Sequence, residues 1–146
     1  MKIKFFFIAV LALVLSSCSN DDDEMIIPVP TPASNGFTWT KNGGSTVETA
    51  ASASFSTQYK TLIAKDATDA TVFEINLNGT AAATYTIGAN NAVTFTGVNP
   101  FYAATGGTVI VTSNANGKMS GSFQTTGNAG GITAMNGTFT NIDVNP

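Results

Sequence analysis

Large apolar residues alternate with polar residues along most of the chain after position 36. Successive side chains of a β-strand point to opposite faces, so this period of two indicates strands with one buried and one solvated face. The period of an amphipathic helix is not found in this part of the sequence. The pattern therefore predicts an all-β domain of antiparallel strands, and it is clearest at 37–40, 73–77, 85–87 and 93–96.

Asn and Gly residues stand between the alternating segments, and they tolerate the positive φ that tight hairpin turns require. They occur at Asn42-Gly43-Gly44, Asn78-Gly79, Asn90-Asn91 and Asn116-Gly117. A strand spacing of about 8 to 12 residues is typical of a β-sandwich or a β-barrel, and it does not decide between the two. Residues 109–111 are all apolar, so both faces of a strand would carry apolar side chains there. This predicts a strand that is central or covered on both faces.

Residues 50–64 are ambiguous between a short helix and a strand. Phe55 and Tyr59 are four positions apart, a spacing that places them on one face in either structure. We favour a strand because Ser and Thr are dense in this segment.

One five-residue pattern, Met-x-Gly-x-Phe, occurs twice near the C-terminus. With a period of two, its Met, Gly and Phe face inward together, and the glycine leaves room for an aromatic ring from a neighbouring strand. The same gap could instead open a slot for a ligand. The two copies are Met119, Gly121 and Phe123, and Met135, Gly137 and Phe139.

The N-terminus has the layout of a secretory signal peptide. Lys2 and Lys4 precede an apolar run at 5–15, and small residues then lead to Cys18. The run is shorter than the roughly 20 apolar residues that a membrane-spanning helix needs. Residues 15–18, Leu-Ser-Ser-Cys, match the lipobox of bacterial lipoproteins, so we expect residues 1–17 to be removed and Cys18 to be lipidated.

An acidic block and a proline-rich segment follow the cysteine. The block, formed by Asp21, Asp22, Asp23 and Glu24, resembles the export signal that sends Bacteroidota lipoproteins to the outer face of the outer membrane. A solvated spacer is the alternative. Prolines stand at every second position from Pro28 to Pro32, and they favour a polyproline II conformation for residues 25–35. We therefore interpret 18–35 as the lipidated cysteine, the acidic block and a tether, and 36–146 as the β domain.

Composition excludes several kinds of site. The chain has no histidine and one cysteine, and all six of its basic residues are lysines. Histidine-dependent triads, histidine or multi-cysteine metal sites and disulfides are therefore excluded, and we expect no cofactor and no metal. After position 36 four lysines stand against five acidic residues, a net charge of minus one. Such a domain has too few positive charges to neutralise the phosphates of a nucleic acid, so we expect no nucleic-acid partner.

Only carboxylates could serve an enzyme here, and nothing in their positions forces two of them together as a glycosidase requires. We therefore expect a protein that is not an enzyme. The pair Asp66 and Asp69 is better explained by turn capping than by calcium binding. The candidate carboxylates are Glu48, Asp66, Asp69, Glu74 and Asp143.

Three aromatic residues are candidates for stacking on a sugar or peptide: Trp39, Phe101 and Tyr102. Adjacent Phe101 and Tyr102 cannot both face the core of an extended strand, and packing in the core is the alternative for each. Repeated Thr-x-Thr tripeptides raise the idea of an ice-binding ladder. Their irregular spacing predicts no such ladder, since β-propensity alone explains exposed threonines. They stand at Thr38/Thr40, Thr84/Thr86, Thr94/Thr96 and Thr138/Thr140.

Three runs near the C-terminus resemble the closing strands of a family of uncharacterised Bacteroidota surface lipoproteins, domain of unknown function 6252. They read Gly-Gly-Thr-Val-Ile-Val at 106–111, Gly-Ser-Phe at 121–123 and Asn-Gly-Thr-Phe at 136–139. The resemblance extends from position 37 to the C-terminus. It implies a lipoprotein with a β domain, and it implies no catalytic or binding residue.

Together these features predict an outer-membrane lipoprotein at the cell surface, held to the membrane by a lipid anchor on Cys18. We expect a non-enzymatic binding or accessory module, with an outer-membrane protein or a glycan as candidate partner. The alternatives are a structural subunit of an outer-membrane complex and a small carboxylate-dependent glycan hydrolase.

Overall fold

The computed structural model describes residues 36–146. The signal peptide, Cys18, the acidic block Asp21 to Glu24 and the tether lie outside the described residues, and they stay predictions. None of the described residues belongs to a helix long and apolar enough to cross a membrane. The strands are β1 Gly36–Lys41, β2 Glu48–Thr49, β3 Ser52–Ser56, β4 Thr61–Lys65, β5 Thr71–Asn76, β6 Ala83–Thr86, β7 Ala92–Phe95, β8 Tyr102–Ala115, β9 Lys118–Ala129 and β10 Ile132–Asn145.

Seven of these strands close into a barrel, in the order β10-β3-β4-β5-β7-β8-β9 and back to β10. All neighbours are antiparallel except β10 and β3, which run parallel where Asp143–Asn145 meet Ser54–Ser56. Closure pairs the outer edges of the sheet with each other, which leaves no open edge among the seven strands. The predicted all-β class is confirmed.

Three further strands, β1, β2 and β6, extend the barrel wall. The long strand β10 pairs with β1 from Met135 to Thr140 and with β3 only near its end. Strand β8 likewise pairs with β7 at its start and with β6 from Thr108 to Val111. As a result β1, β10, β9, β8 and β6 form one continuous five-stranded section.

An aromatic cluster joins this section to the opposite wall. Phe37 and Trp39 of β1 each lie 5.0 Å, between ring centroids, from Phe73 of β5. Phe73 in turn lies 4.8 Å from Phe95 of β7. Tilted and edge-on pairs of this kind contribute about 0.5–1.5 kcal/mol each beyond the burial of their area. The cluster therefore fixes which faces of the two walls point inward.

The repeated Met-x-Gly-x-Phe pattern packs as predicted, with reciprocal contacts between β9 and β10. Gly121 lies opposite Phe139, and Gly137 lies opposite Phe123. A Cβ atom placed on either glycine would collide with the facing phenylalanine ring. Each ring thus covers the glycine of the other strand, and the rings fill the space that a ligand slot would need.

Two ambiguous segments are resolved by the structure. The preference for strand at 50–64 is confirmed, because β3 and β4 occupy this range; Phe55 is buried and Tyr59 lies exposed in the turn between them. For 109–111 the sequence left two alternatives, a central strand or a strand covered on both faces. The central position is confirmed, because β8 lies between β6 and β9 at these residues. Coverage on both faces is wrong, since Ile110 points to solvent between the inward Val109 and Val111.

Candidate functional site

The outer side of the five-stranded section carries two rows of mostly polar side chains. The rows arise from strand pairing, because residues that are in register across neighbouring strands lie side by side. We call the two rows together the polar face. The first row is Thr38, Thr138, Ser122, Ile110 and Thr84, and the second is Thr40, Asn136, Gln124, Thr108 and Thr86.

The polar face is uncharged. None of its ten members is ionisable, and each is partly or fully exposed. Neighbouring positions are about 4.8 Å apart along a row, and the two rows are about 6.6 Å apart along the strands. Two ion pairs lie near the rows: Lys41 of β1 with Glu48 of β2 at 2.7 Å, and Lys118 of β9 with Asp143 of β10 at 2.6 Å.

An open cleft of about 310 Å³ lies at the β1, β10 and β9 end of the polar face. Its volume is at the lower end of the roughly 300–1,000 Å³ typical of ligand sites. Three of its lining residues are Phe123 and Trp39, whose side chains are buried in the core, and Gly137, which has no side chain. The remaining lining residues are Thr38, Thr40, Val47, Ser122, Gln124, Asn136 and Thr138.

Most polar groups of the cleft have no partner among residues 36–146. The hydroxyls of Thr38 and Thr138 bond to each other across β1 and β10, with 3.0 Å between the oxygens. Within residues 36–146, the other four polar side chains of the cleft make no hydrogen bond. Two of them, Gln124 and Asn136, face each other across β9 and β10, and each carries both a donor and an acceptor group. These side chains are available to a ligand.

The three predicted aromatic contacts occupy different environments. Trp39 is buried in the aromatic cluster, and its Nε1 is the one buried side-chain polar atom of the described residues that has no hydrogen-bond partner. Tyr102 is fully buried, and its hydroxyl lies 3.1 Å from Thr125 Oγ1. Phe101 is 59% exposed in the loop before β8. The two neighbours face opposite ways as predicted, and Phe101 is the one whose ring can reach a ligand from solvent.

The candidate carboxylates are engaged individually by neighbouring groups. Lysines pair with three of them, and Glu74 accepts a hydrogen bond from Asn76 Nδ2 at 2.8 Å. In the described part of the chain no three Asp, Glu, Cys or His side chains are placed to hold a metal ion together. The three lysine pairs are Lys41 with Glu48, Lys65 with Asp69, and Lys118 with Asp143.

Asp66 caps the turn between β4 and β5, as the sequence predicted. Its Oδ1 accepts hydrogen bonds from the hydroxyl of Thr68 at 2.7 Å, from the backbone N–H of Thr68 at 2.8 Å and from that of Ala70 at 3.1 Å. These bonds favour the ionised carboxylate, and they lower the pKa of Asp66 below its ordinary value, the Thr68 hydroxyl having the largest effect.

Comparisons of the chain with models of protein families, with curated proteins and with solved structures each gave no match. The candidate site therefore rests on its own geometry. Sequence reasoning missed the cleft, because it forms where β1, at the start of the described residues, pairs with β10 near the C-terminus.

Proposed function

We propose that the protein is a lipid-anchored binding module on the outer face of the outer membrane, that it is not an enzyme, and that its binding site is the cleft of the polar face. The observation that carries the binding role is the set of hydroxyl and amide groups around an open, uncharged cleft that make no hydrogen bond within the described residues. The lipobox at 15–18 and the acidic block behind Cys18 support the location.

The cleft is suited to weak, reversible binding. A neutral hydrogen bond contributes about 0.5–1.5 kcal/mol net, and a dissociation constant of about 1 mM corresponds to about 4 kcal/mol. Contacts from four side chains thus support weak binding by a single copy. Many copies anchored on one membrane would bind a ligand with repeated epitopes far more tightly, because the later contacts are intramolecular. A cleft that binds weakly is therefore consistent with a protein anchored in many copies on one membrane.

The anchor is tested by replacing Cys18. In Cys18→Ala the thioether cannot form, so we expect the protein to leave the membrane fraction or to accumulate as uncleaved precursor. Fractionation and immunoblotting measure both outcomes. Normal processing with unchanged membrane retention would contradict the anchor.

Surface display is tested by replacing Asp21, Asp22, Asp23 and Glu24 together with alanine. We expect the variant to stay membrane-bound and to become resistant to a protease added to whole cells, because it is no longer exported to the outer face. Equal digestion of the variant and the wild type would contradict an export role for the block.

The binding site is tested by NMR on the isotopically labelled full-length protein in detergent. Polysaccharide and protein fractions of the bacterial envelope are added in turn. The side-chain amide signals of Gln124 and Asn136 should shift with at least one fraction. The amide of Asn76 serves as the internal control, because it lies on β5, outside the polar face, and donates a hydrogen bond to Glu74 of the same strand. If no fraction moves the two cleft signals, the cleft is not the binding site.

A further inference from the structure

The polar face continues beyond the cleft across β8 and β6, and this extension bears on what the cleft binds. Building on the proposed function, we infer that the cleft and the polar face bind a neutral polysaccharide chain that lies across the strands. Four features of the face support this assignment: its lack of charge, its free polar groups, its repeat and its shape.

The first feature is the lack of charge. The ten residues of the polar face offer no counter-charge to an acidic or basic ligand. Near the rows, Lys41 and Lys118 are held in ion pairs with Glu48 and Asp143. An ionised ligand would lose hydration on the face and gain no charged partner in return. The face therefore selects an uncharged ligand.

The second feature is the mixture of donors and acceptors. The amides of Gln124 and Asn136 and the hydroxyls of Thr40 and Ser122 can each donate and accept hydrogen bonds. An apolar ligand would cover these groups and leave them unpaired, which is unfavourable. Neighbouring hydroxyls of a sugar ring satisfy both kinds of group. A peptide strand is a poorer fit, because strand addition uses the edge of a sheet and the cleft lies on its face.

The third feature is the repeat along the rows. In the second row a polar position recurs at each strand, about every 4.8 Å, and in the first row Ile110 alone interrupts this repeat. A ligand that crosses the strands therefore meets similar groups along its length. Apolar contact is available as well, from Val47, 61% exposed at the cleft, and from Ile110, 39% exposed in the first row. Sugar units present both hydroxyls and C–H faces at regular intervals. The repeat therefore favours a chain over a single sugar.

The fourth feature is shape, and it separates a polysaccharide from ordered water. The aligned threonines would suit an ice lattice only on a flat surface. Neighbouring strands of a sheet are rotated by about 20–25°, and one end of the face holds an open cleft. A flexible chain can follow this surface, whereas a planar lattice cannot.

Affinity electrophoresis tests the inference with the full-length protein in a detergent that has no sugar headgroup. The gels contain neutral polysaccharides (a glucan, a mannan, a galactan and a xylan) or acidic ones (alginate and polygalacturonate). We expect retardation by at least one neutral polysaccharide and none by the acidic ones. Retardation by the acidic polysaccharides alone, equal retardation by both kinds, or none by any of the six would overturn the inference.

Variants locate the binding. Gln124→Ala and Asn136→Ala should each weaken binding about fivefold or more, as expected for the loss of one hydrogen-bonding side chain. Thr94→Ala is the matched control, since Thr94 lies on β7 opposite Glu74 and outside the polar face. Equal effects of Thr94→Ala and Gln124→Ala would overturn the placement in the cleft.

The crosswise direction is tested at the far end of the rows. Thr86→Lys on β6 places a long charged side chain in the path of the polymer, well away from the cleft. We expect it to weaken binding of the polysaccharide severalfold and to leave binding of the corresponding disaccharide unchanged. Equal polysaccharide affinity in the variant and the wild type would overturn the crosswise path.

Failure of the inference can be told apart from failure of the proposed function. If no neutral polysaccharide binds but an envelope protein fraction shifts the Gln124 and Asn136 signals, the ligand class is wrong and the binding site stands. If those signals respond to nothing, both proposals are wrong.

Discussion

Replacing Gly121 by alanine is the sharpest test of the barrel packing. Gly121 on β9 lies under the ring of Phe139 on β10. An added Cβ would come within 2.7 Å of Phe139 Cε2 and would also collide with the carbonyl oxygen of Ile110. The ring can tilt, but the carbonyl belongs to the backbone of β8 and cannot rotate away. The substitution therefore forces two strands apart.

The expected cost follows from known effects of overpacking, which are about 1–3 kcal/mol in well-packed cores. We expect a value near the middle or the top of this range, because a backbone atom is involved. For a domain of this size, a loss of about 2 kcal/mol lowers Tm by about 10 °C. A shift of this size is easily resolved by circular dichroism.

The matched control is Gly88→Ala. A Cβ on Gly88 would meet no atom of residues 36–146 within 4 Å, and the φ of Gly88 is not in the left-handed region. We expect this variant to melt within a few degrees of the wild type, or slightly above it, since alanine restricts the unfolded chain. Similar shifts for Gly88→Ala and Gly121→Ala would refute the packing argument.

A double variant identifies the cause of the loss. Combining Gly121→Ala with Phe139→Leu removes the ring that the new Cβ would strike. The two effects should therefore sum to more than the loss measured in the double variant. Strict additivity would show that the ring and the glycine do not interact.

Two further predictions concern single polar groups. Tyr102→Phe removes a buried hydroxyl that lies 3.1 Å from Thr125 Oγ1; we expect a loss of about 1 kcal/mol in urea unfolding, and an unchanged midpoint would contradict the bond. Asp66 has a lowered pKa in the folded protein, so its contribution to stability is present above its ordinary, unfolded pKa and is lost as pH falls through the lower folded value. The acid-induced decrease in Tm should thus be smaller in Asp66→Ala than in the wild type, and parallel decreases would contradict this role.

The parts of the fold that were predictable are those encoded locally. Alternation at 37–40, 73–77, 85–87 and 93–96 marks β1, β5, β6 and β7, with ends displaced by one or two residues. The inward glycines were predictable for the same reason, because a period of two assigns faces without knowledge of the partner strand. Asn116-Gly117 likewise forms the predicted tight turn, with φ of 54° and 71°.

The polar face could not be predicted, because it depends on register between distant segments. Thr38 and Thr138 are 100 positions apart and share a hydrogen bond. The irregular spacing of the Thr-x-Thr tripeptides along the chain hides that Thr38/Thr40 of β1 and Thr84/Thr86 of β6 lie in the same two rows, with Thr138 of β10 in the first. Ile110 shows the same effect, since an apolar residue in an apolar run gives no local sign that it points to solvent. A barrel closed by long strands combines many such distant pairings.

Packing inside the barrel and the site outside it depend on the same register. Gly121 and Ser122 are neighbours on β9 with opposite faces, so the pairing that places Gly121 under Phe139 also places Ser122 opposite Thr138. A slip of one residue would turn every side chain of β9 to the other face. It would bring the Gly121 position to the surface and remove the cleft at once. The melting experiment on Gly121→Ala therefore tests the cleft as well. A variant as stable as the wild type would mean that Gly121 does not face the core, and hence that Ser122 and Gln124 do not face solvent. Both the core packing and the proposed binding site would then be wrong.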